Sequence, residues 1–196
     1  MTQERKQISF KLIVIGDSGV GKTSLVIRQS RNQFSFQMAP TIGTSHIRVN
    51  IPIEDYDVEL KIWDTAGQEQ FAPLVSMYAR GATVCIIVAS SIDTASVKNI
   101  ATWKERLKEA NEDPAIVIAL NKADMVELGN PTLDQIREEL HEKYENIFSV
   151  SAKTGEGVND LFTCAAKLAL ENNKERFEEP KVSLDKNDNQ SSRKCC

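Results

Sequence analysis

Apolar residues along the chain fall into two kinds of segment. Short, nearly continuous apolar runs lie at residues 8–15, 82–89, 115–120 and 146–150. Such runs predict strands that are covered on both faces, as in a parallel sheet. Apolar residues with helical spacing lie at positions 133, 136 and 140 and at positions 158, 161, 162, 165 and 168, and residues 24–30 also have a helical pattern. Strands that alternate with helices predict right-handed crossovers in a doubly wound sheet.

One segment follows a period of two. Apolar residues alternate with polar ones from residue 47 to residue 53, and again from residue 58 to residue 62, after a turn at residues 54–56. This pattern predicts a β-hairpin, so one antiparallel edge strand should interrupt the sheet. We therefore expect a single α/β domain built around a mostly parallel, six-stranded sheet.

The composition indicates the extent of the folded domain and excludes some classes of protein. The chain has 196 residues, of which 41% are apolar, and this suits one domain over residues 1–173. Residues 174–196 are polar and charged, and we expect a flexible tail there. The net charge of −4 argues against a nucleic-acid partner. We expect neither a secretory signal nor a membrane span, and the apolar surroundings of Cys85 and Cys164 suggest buried thiols in a reducing compartment.

A glycine-rich loop follows the first predicted strand. Residues 16–23, GDSGVGKT, match the phosphate-binding pattern G-x-x-x-x-G-K-[ST]. Its glycines let backbone N–H groups converge on phosphate oxygens, while Lys22 can reach the terminal phosphates and Thr23 can coordinate Mg²⁺. An ordinary glycine-rich turn is the alternative, and the agreement of strand, loop and helix argues against it. The predicted contacts are Asp17, Ser18, Gly19, Val20, Gly21, Lys22, Thr23 and Ser24.

The loop alone leaves ATPases, kinases and GTPases open, and a second motif addresses the base. Asn121-Lys122-Ala123-Asp124 directly follows a predicted strand. Guanine presents N1–H and N2 amino donors, which the carboxylate of Asp124 can accept, whereas adenine presents the opposite pattern. An ordinary polar loop is the alternative. The order of the motifs favours a base site, because Ser151-Ala152-Lys153 follows the last predicted strand.

Five motifs together resemble those of the Ras-like small GTPases, in order and at the family's spacing. They are GDSGVGKT at 16–23, TIG at 41–43, DTAGQE at 64–69, NKAD at 121–124 and SAK at 151–153. Trp63, the segment MYARGA at 77–82 and the pair Cys195-Cys196 are similar to the Rab branch, and Ser18 and residues 116–120 lean toward its early-endosomal members. The resemblance covers residues 8–171. It implies a P-loop NTPase fold, in which five helices flank the six-stranded sheet. It also implies a GTP-hydrolysing switch that recruits effectors to membranes in vesicle traffic.

The resemblance also implies roles for individual residues. Thr23 and Thr41 would hold Mg²⁺ directly and Asp64 through a bound water. The Gly67 amide would sense the γ-phosphate, and Phe34 and Lys122 would sandwich the guanine. The Ala152 amide, in a loop with Ser151 and Lys153, would bond guanine O6.

The resemblance assigns hydrolysis to Lys22, Thr41 and Gln68, with Gln68 orienting the attacking water. That last role also follows from the reaction, because phosphoryl transfer needs positioning more than covalent help.

Partners follow from the same resemblance. We expect an exchange factor, a GTPase-activating protein that supplies a missing cation, effectors, a GDP-dissociation inhibitor and the prenylation machinery, around a monomeric domain. Cys195 and Cys196 would carry two geranylgeranyl groups, because one lipid anchors only marginally. A metal-binding or redox dithiol and a chance terminus are the alternatives. The expected location is the cytoplasmic face of intracellular membranes, with endosomal membranes as one candidate, in exchange with the cytosol.

The sequence also departs from the Rab pattern. His46 replaces an aromatic residue that packs with the equivalents of Trp63 and Tyr78, so either the effector surface is altered or the imidazole fills the same space. Ala89-Ser90 replaces a usual Tyr-Asp, and Ala79 replaces a tyrosine. Rival interpretations are a non-hydrolysing GTP-binding scaffold, an ATP-using P-loop enzyme and a Ras- or Rho-type GTPase. The presence of Lys22, Thr41 and Gln68 argues against the scaffold. Asp124 argues against the ATP-using enzyme, and a double cysteine in place of a C-a-a-X box argues against a Ras- or Rho-type GTPase.

Overall fold

The computed structural model describes residues 5–37, 44–65, 75–110, 112–128 and 133–174. Within these ranges it contains six strands, five α-helices and one 3₁₀-helix. In chain order they are β1 (Lys6–Ile15), α1 (Lys22–Arg31), β2 (Thr44–Ile53), β3 (Tyr56–Thr65), α2 (Val75–Ala79), β4 (Val84–Ser90), α3 (Thr94–Glu109), β5 (Ala115–Asn121), the 3₁₀-helix (Ala123–Leu128), α4 (Leu133–His141), β6 (Ile147–Ser149) and α5 (Val158–Glu171).

The strands form one sheet in the order β2-β3-β1-β4-β5-β6. β2 pairs antiparallel with β3, and every other neighbouring pair is parallel. This arrangement confirms the predicted fold class, including the antiparallel edge strand. Parallel neighbours need crossover connections, and helices supply them on both faces of the sheet.

The hairpin between β2 and β3 is tighter than the sequence predicted. Ile53 pairs with Tyr56, so only Glu54 and Asp55 form the turn, and Glu54 has a left-handed backbone with φ of 50°. The assignment of Tyr56 to the turn was therefore wrong. Two-residue turns with positive φ match the twist of the strands they join, and a tyrosine suits a strand position.

The central strands bury both of their faces. Along β1, Leu12 and Val14 pack in a core with α1 and α5, whereas Ile13 and Ile15 pack in a second core with α2, α3 and α4. All seven residues of β4 are buried. This alternation between two apolar layers explains why the strand segments are nearly continuously apolar in the sequence.

Helix termini also follow from local residues. α1 begins after Gly21 and ends before Asn32, and both flanking residues have a left-handed backbone. α3 begins after Asp93, whose side chain accepts hydrogen bonds from the backbone N–H groups of Ala95 and Ser96. No helix among the described residues is long and apolar enough to span a lipid bilayer.

Several boundaries differ from the predicted ones. β4 begins at Val84 and not at residue 82, because the Ala82 N–H donates to Ala79 O and closes the turn after α2. The sequence patterns located α1, α4 and α5, but not α2, α3 or the 3₁₀-helix. α5 ends at Glu171, and the division into a domain at 1–173 and a tail at 174–196 stays a prediction.

The parallel arrangement brings the candidate chemistry to one edge of the sheet. β1, β3, β4, β5 and β6 run in the same direction, so their carboxyl ends lie together. From β1 the chain passes to β2 and β3 on one side, and it later returns to β4 on the other side. Such a switch in strand order opens a crevice at the carboxyl edge, where ligands bind in open α/β sheets.

Candidate functional site

The glycine-rich loop at residues 16–23, called the phosphate loop below after its predicted role, joins β1 to α1 in a shape that larger residues could not adopt. Gly16 has φ of 139°, and a Cβ atom there would lie 2.2 Å from Val88 O. Gly21 has φ of 98°, and a Cβ there would lie 2.3 Å from Asn121 Nδ2. No side chain caps the start of α1 at Gly21, so the helix presents its first N–H groups to an anion.

Lys22 is buried beneath this loop. Its Nζ donates to Gly16 O at 2.9 Å and to Asp17 O at 2.7 Å. Burial lowers the pKa of Lys22 to about 8, although the nearby carboxylates of Asp64 and Asp17 act in the opposite direction. A bound phosphate chain would favour the charged form further, so the site is prepared for a polyanion.

Thr23 and Asp64 form the next layer of the site. Thr23 Oγ1 donates to Asp64 Oδ2 at 2.6 Å, and Asp64 is fully buried. Burial raises the pKa of Asp64, although Thr23, Lys22 and Ser45 favour its charged form. Asp64 Oδ1 is buried and has no hydrogen-bond partner among the described residues. A buried carboxylate oxygen that lacks a donor, beside a hydroxyl, suits Mg²⁺, which prefers oxygen ligands.

The two motifs that the sequence assigned to the base meet at Asp124. Ser151 Oγ donates to Asp124 Oδ1 at 2.6 Å, and Lys153 Nζ lies 3.5 Å from Asp124 Oδ2. Partial desolvation works against ionisation, but the contacts with Ser151 and Lys153 outweigh it, so the pKa of Asp124 lies below its ordinary value. Asp124 is therefore an anion at neutral pH. The loop at residues 151–153, called the base-reading loop below after its predicted role, lies beside Asp124, as the motif order predicted.

Asn121 connects the loops that carry the two halves of the site. Its Nδ2 donates to Val20 O at 2.8 Å, and its Oδ1 accepts from the Ala152 N–H at 3.0 Å. The side chain is only 2% exposed. The sequence assigned Asn121 to the base, and the structure adds a bracing role. The resemblance assigns the Ala152 N–H to guanine O6, but here this one donor bonds Asn121, so guanine O6 would have to share or displace that hydrogen bond.

Asp17 points away from the interior of the phosphate loop and toward α3. Its Oδ2 accepts from Asn99 Nδ2 and its Oδ1 from Trp103 Nε1, both at 2.7 Å. Asn99 and Trp103 were not among the residues predicted from the sequence. Their spacing of four places them on one face of a helix, and the apolar residues Ile100 and Leu107 could have located that helix.

Phe34 and Phe36 follow α1 at the side of the base-reading loop. Phe34 is half-buried, and its ring meets that of Phe36 edge to face at 5.0 Å. Phe36 is 82% exposed, and Lys153 Nζ lies 5.9 Å from its ring centroid. Lys122, the other predicted neighbour of the base, has a left-handed backbone with φ of 64° at the carboxyl end of β5.

His46 continues a row of rings across β2, β3 and α2. Its imidazole meets Trp63 edge to face at 5.5 Å, and Trp63 lies 6.4 Å from Tyr78. Lys11 Nζ lies 4.8 Å from the centroid of Trp63. Of the two interpretations of His46, this geometry favours an imidazole that occupies the place of an aromatic ring.

Some predicted residues lie outside the described ranges. These are Thr41, Gly67, Gln68, Cys195 and Cys196. In the described part of the phosphate loop, Ser18 and Gly19 are exposed and Val20 is buried, while Ser24 lies half-buried in the first turn of α1. The structure therefore brings together the phosphate loop, Asp64 and the loops at residues 121–124 and 151–153. Together they form a candidate nucleotide site.

Comparisons with known proteins agree with this geometry. The model of the Ras family matches residues 11–171. The chain is 40% identical over 169 residues to "GTP-binding protein ypt5" of Schizosaccharomyces pombe, covering 84% of this chain and 80% of the relative. It is 35% identical over 167 residues to "Ras-related protein Rab5" of Nicotiana tabacum, covering 85% and 84%. It is 37% identical over 166 residues to "Ras-related protein RABF2a" of Arabidopsis thaliana, covering 83% and 82%.

Proposed function

This chain belongs to the Ras family, and from that premise we propose that it is a Rab-type switch that binds GTP and GDP with Mg²⁺. In its GTP state it recruits effectors to membranes and so regulates vesicle traffic. The relatives named ypt5, Rab5 and RABF2a support the Rab assignment and a lean toward the early-endosomal members.

The connection between base selection and phosphate binding carries the proposal. Asp124 is an anion held by Ser151, and Asn121 joins the 151–153 loop to the phosphate loop through Ala152 and Val20. A carboxylate in this position can accept from both donors on the edge of guanine, whereas adenine offers it an acceptor. The arrangement therefore supports guanine over adenine.

The phosphate end of the site supports a nucleoside triphosphate with a metal ion. The uncapped start of α1 and the ammonium of Lys22 suit a polyanion. Thr23 would hold Mg²⁺ directly, and Asp64 would contribute through a bound water. A bound Mg²⁺ would neutralise charge on the terminal phosphates. Thr41 would complete the ligand set.

Hydrolysis would give the switch its timing. Gln68 would orient the attacking water, while Thr41 and Gly67 would contact the γ-phosphate that hydrolysis removes. We expect slow intrinsic hydrolysis and an activating protein that supplies a cation, with an acceleration of roughly 10³–10⁵. An exchange factor would restore the GTP state, and a GDP-dissociation inhibitor would carry the protein through the cytosol.

Membrane attachment stays a prediction that rests on Cys195 and Cys196. Lipidation is typical of the family, and two geranylgeranyl groups would give a stable hold where one would not. The expected location is the cytoplasmic face of intracellular membranes, with endosomes favoured by the Rab5-like relatives. Intact-mass measurement of protein from cells should show two isoprenyl additions, and their absence would count against the assignment.

Nucleotide competition on the purified full chain tests the proposed specificity. The unmodified chain should retain GTP in the presence of a large excess of ATP. Asp124→Asn should weaken GTP binding by at least about 100-fold, because the amide keeps only one neutral acceptor and turns an NH₂ donor toward the second donor of guanine. Asp134→Asn, an exposed carboxylate at the start of α4, is the matched control and should bind as the unmodified chain does. Equal retention of ATP and GTP, or an unchanged preference in Asp124→Asn, would refute the proposal.

Single-turnover hydrolysis separates a GTPase from a non-hydrolysing scaffold. Gln68→Leu should nearly abolish turnover and leave GTP binding intact, since an apolar side chain cannot align water. Unchanged hydrolysis in this variant would remove Gln68 from the reaction. If the unmodified chain failed to hydrolyse GTP even with an activating protein, the scaffold would be the better description.

A further inference from the structure

Arg28, in the last turn of α1, contacts the backbone of the base-reading loop. Its Nε donates to Ala152 O at 2.8 Å, and its Nη2 donates to Lys153 O at 2.7 Å. A planar guanidinium thus bonds two consecutive carbonyl groups with two adjacent donors. An ammonium group has no such fixed fork, so the arrangement suits arginine and not lysine.

The same side chain fixes the end of α1. Arg28 Nη1 donates to Asn32 O and to Asn32 Oδ1, both at 3.0 Å. Asn32 caps the helix in a left-handed conformation and directs the chain toward Phe34, two residues further on. Arg28 therefore holds both the base-reading loop and the start of the segment that leads to Phe34.

Packing supports these hydrogen bonds. A Cβ atom at Gly155 would lie 3.5 Å from Arg28 Cδ, so the arginine stem lies against the turn that follows the base-reading loop. The Gly155 N–H donates to Ser151 O at 2.8 Å and closes that turn. Ser151 in turn bonds Asp124. The guanidinium is thus one contact away from the groups that would face the base.

We propose that Arg28 is a positioning residue for guanine recognition: it holds the Ala152–Lys153 backbone and the chain before Phe34 in the geometry that the base requires. The proposal rests on the proposed GTP and GDP binding of the same site. Loss of the guanidinium would free the base-reading loop at the far end of α1. Lys22 and Thr23, in the first turn of the helix, would keep their own contacts.

The dissociation rate of GDP from the full chain tests this role. Arg28→Lys keeps the positive charge and removes the fork, and it should raise the rate by about 10-fold, because hydrogen bonds from a charged donor are lost. Arg31→Lys is the control, since Arg31 is exposed at the end of the same helix. It should leave the rate unchanged.

Making Arg28→Lys in a chain that already carries Asp124→Asn distinguishes a role in positioning the base-reading loop from a general loss of stability. If Arg28 acts through the base-reading loop, Arg28→Lys should change the rate less than about 2-fold in an Asp124→Asn chain, where the base contact is already lost. An equal effect in both backgrounds would show a merely structural role and overturn the proposal. An unchanged rate when Arg28→Lys is made in the otherwise unmodified chain would overturn it as well.

Asn32→Gly provides a milder variant should Arg28→Lys fold poorly. It keeps the left-handed backbone, removes one acceptor of the guanidinium and should raise the GDP dissociation rate by about 3-fold. No change in Asn32→Gly, together with an unfolded Arg28→Lys, would overturn the proposal. An unmodified chain that binds ATP as tightly as GTP would instead overturn the proposed function itself. A GTP preference with no effect of Arg28 would overturn this inference alone.

Discussion

The indole N–H of Trp103 donates a hydrogen bond of 2.7 Å to Oδ1 of Asp17, so a core residue of α3 restrains a carboxylate of the phosphate loop. Asn99 binds the other carboxylate oxygen from one helical turn away. Trp103 is only 4% exposed, and the Arg106 guanidinium lies 4.5 Å from its ring centroid. Two neutral donors thus hold a negative charge away from the place where phosphates would bind, which reduces its repulsion of them.

Trp103→Phe should lower the stability of the protein, because it removes the hydrogen bond to Asp17. Phenylalanine keeps an aromatic ring in the core but cannot donate to Asp17, so we expect a loss of about 1–3 kcal/mol in the free energy of unfolding. Urea unfolding at a fixed GDP concentration measures the loss. In an Asp17→Ala background the same substitution should cost about 1 kcal/mol less, because the acceptor is already absent. Strictly additive costs would argue that the hydrogen bond contributes nothing.

Asn121→Asp should separate the bracing role of this residue from its size. The two side chains have nearly the same shape, but a carboxylate cannot donate to Val20 O and would be buried beside that carbonyl. We expect the free energy of unfolding to fall by at least about 2 kcal/mol. Asn50→Asp, on the exposed side of the edge strand β2, is the control and should change stability by less than about 0.5 kcal/mol. Similar losses in both variants would contradict the assignment.

The strands and the site loops could be predicted because their signals are local. In β1, Leu12 and Ile13 point to opposite apolar layers, and such runs are visible in the sequence without knowledge of the partners. Parallel strands place their carboxyl ends together. Motifs at the ends of strands, such as Asn121–Asp124 and Ser151–Lys153, were therefore expected at the same edge of the sheet, and the structure shows that the two are in contact.

The contacts that complete the site could not be predicted in the same way. Arg28 and Trp103 bond residues far away in the sequence, 124 and 86 positions along the chain. An arginine near a helix end is ordinarily explained by solvent and the helix dipole. A tryptophan among apolar residues is ordinarily explained by burial. Only the packing of α1 and α3 against the sheet reveals which polar atoms their side chains reach.

Gly16 should be far less tolerant of substitution than a glycine in open space. A methyl group at Gly16 would overlap Val88 O, whereas at Gly81, which also has positive φ, nothing lies within 4 Å. Gly81→Ala should therefore cost only backbone strain of about 1 kcal/mol. Gly16→Ala should cost more than about 3 kcal/mol, because β1 and β4 must separate. Thermal unfolding of the two variants side by side measures the difference, and equal melting temperatures would show that the loop can shift.

Thr23→Val should remove the magnesium dependence of nucleotide binding. Valine has the shape of threonine but lacks the hydroxyl that lies 2.6 Å from Asp64 Oδ2 and that would bind the metal ion. Chelation of Mg²⁺ should accelerate GDP release from the unmodified chain by about 10-fold or more, and it should have little effect on Thr23→Val, whose release is already fast. Thr83→Val is the control, because the Thr83 hydroxyl bonds Lys11 O at the opposite edge of the sheet. Its release should respond to chelation as the unmodified chain does. A full response in Thr23→Val would place the metal ion elsewhere.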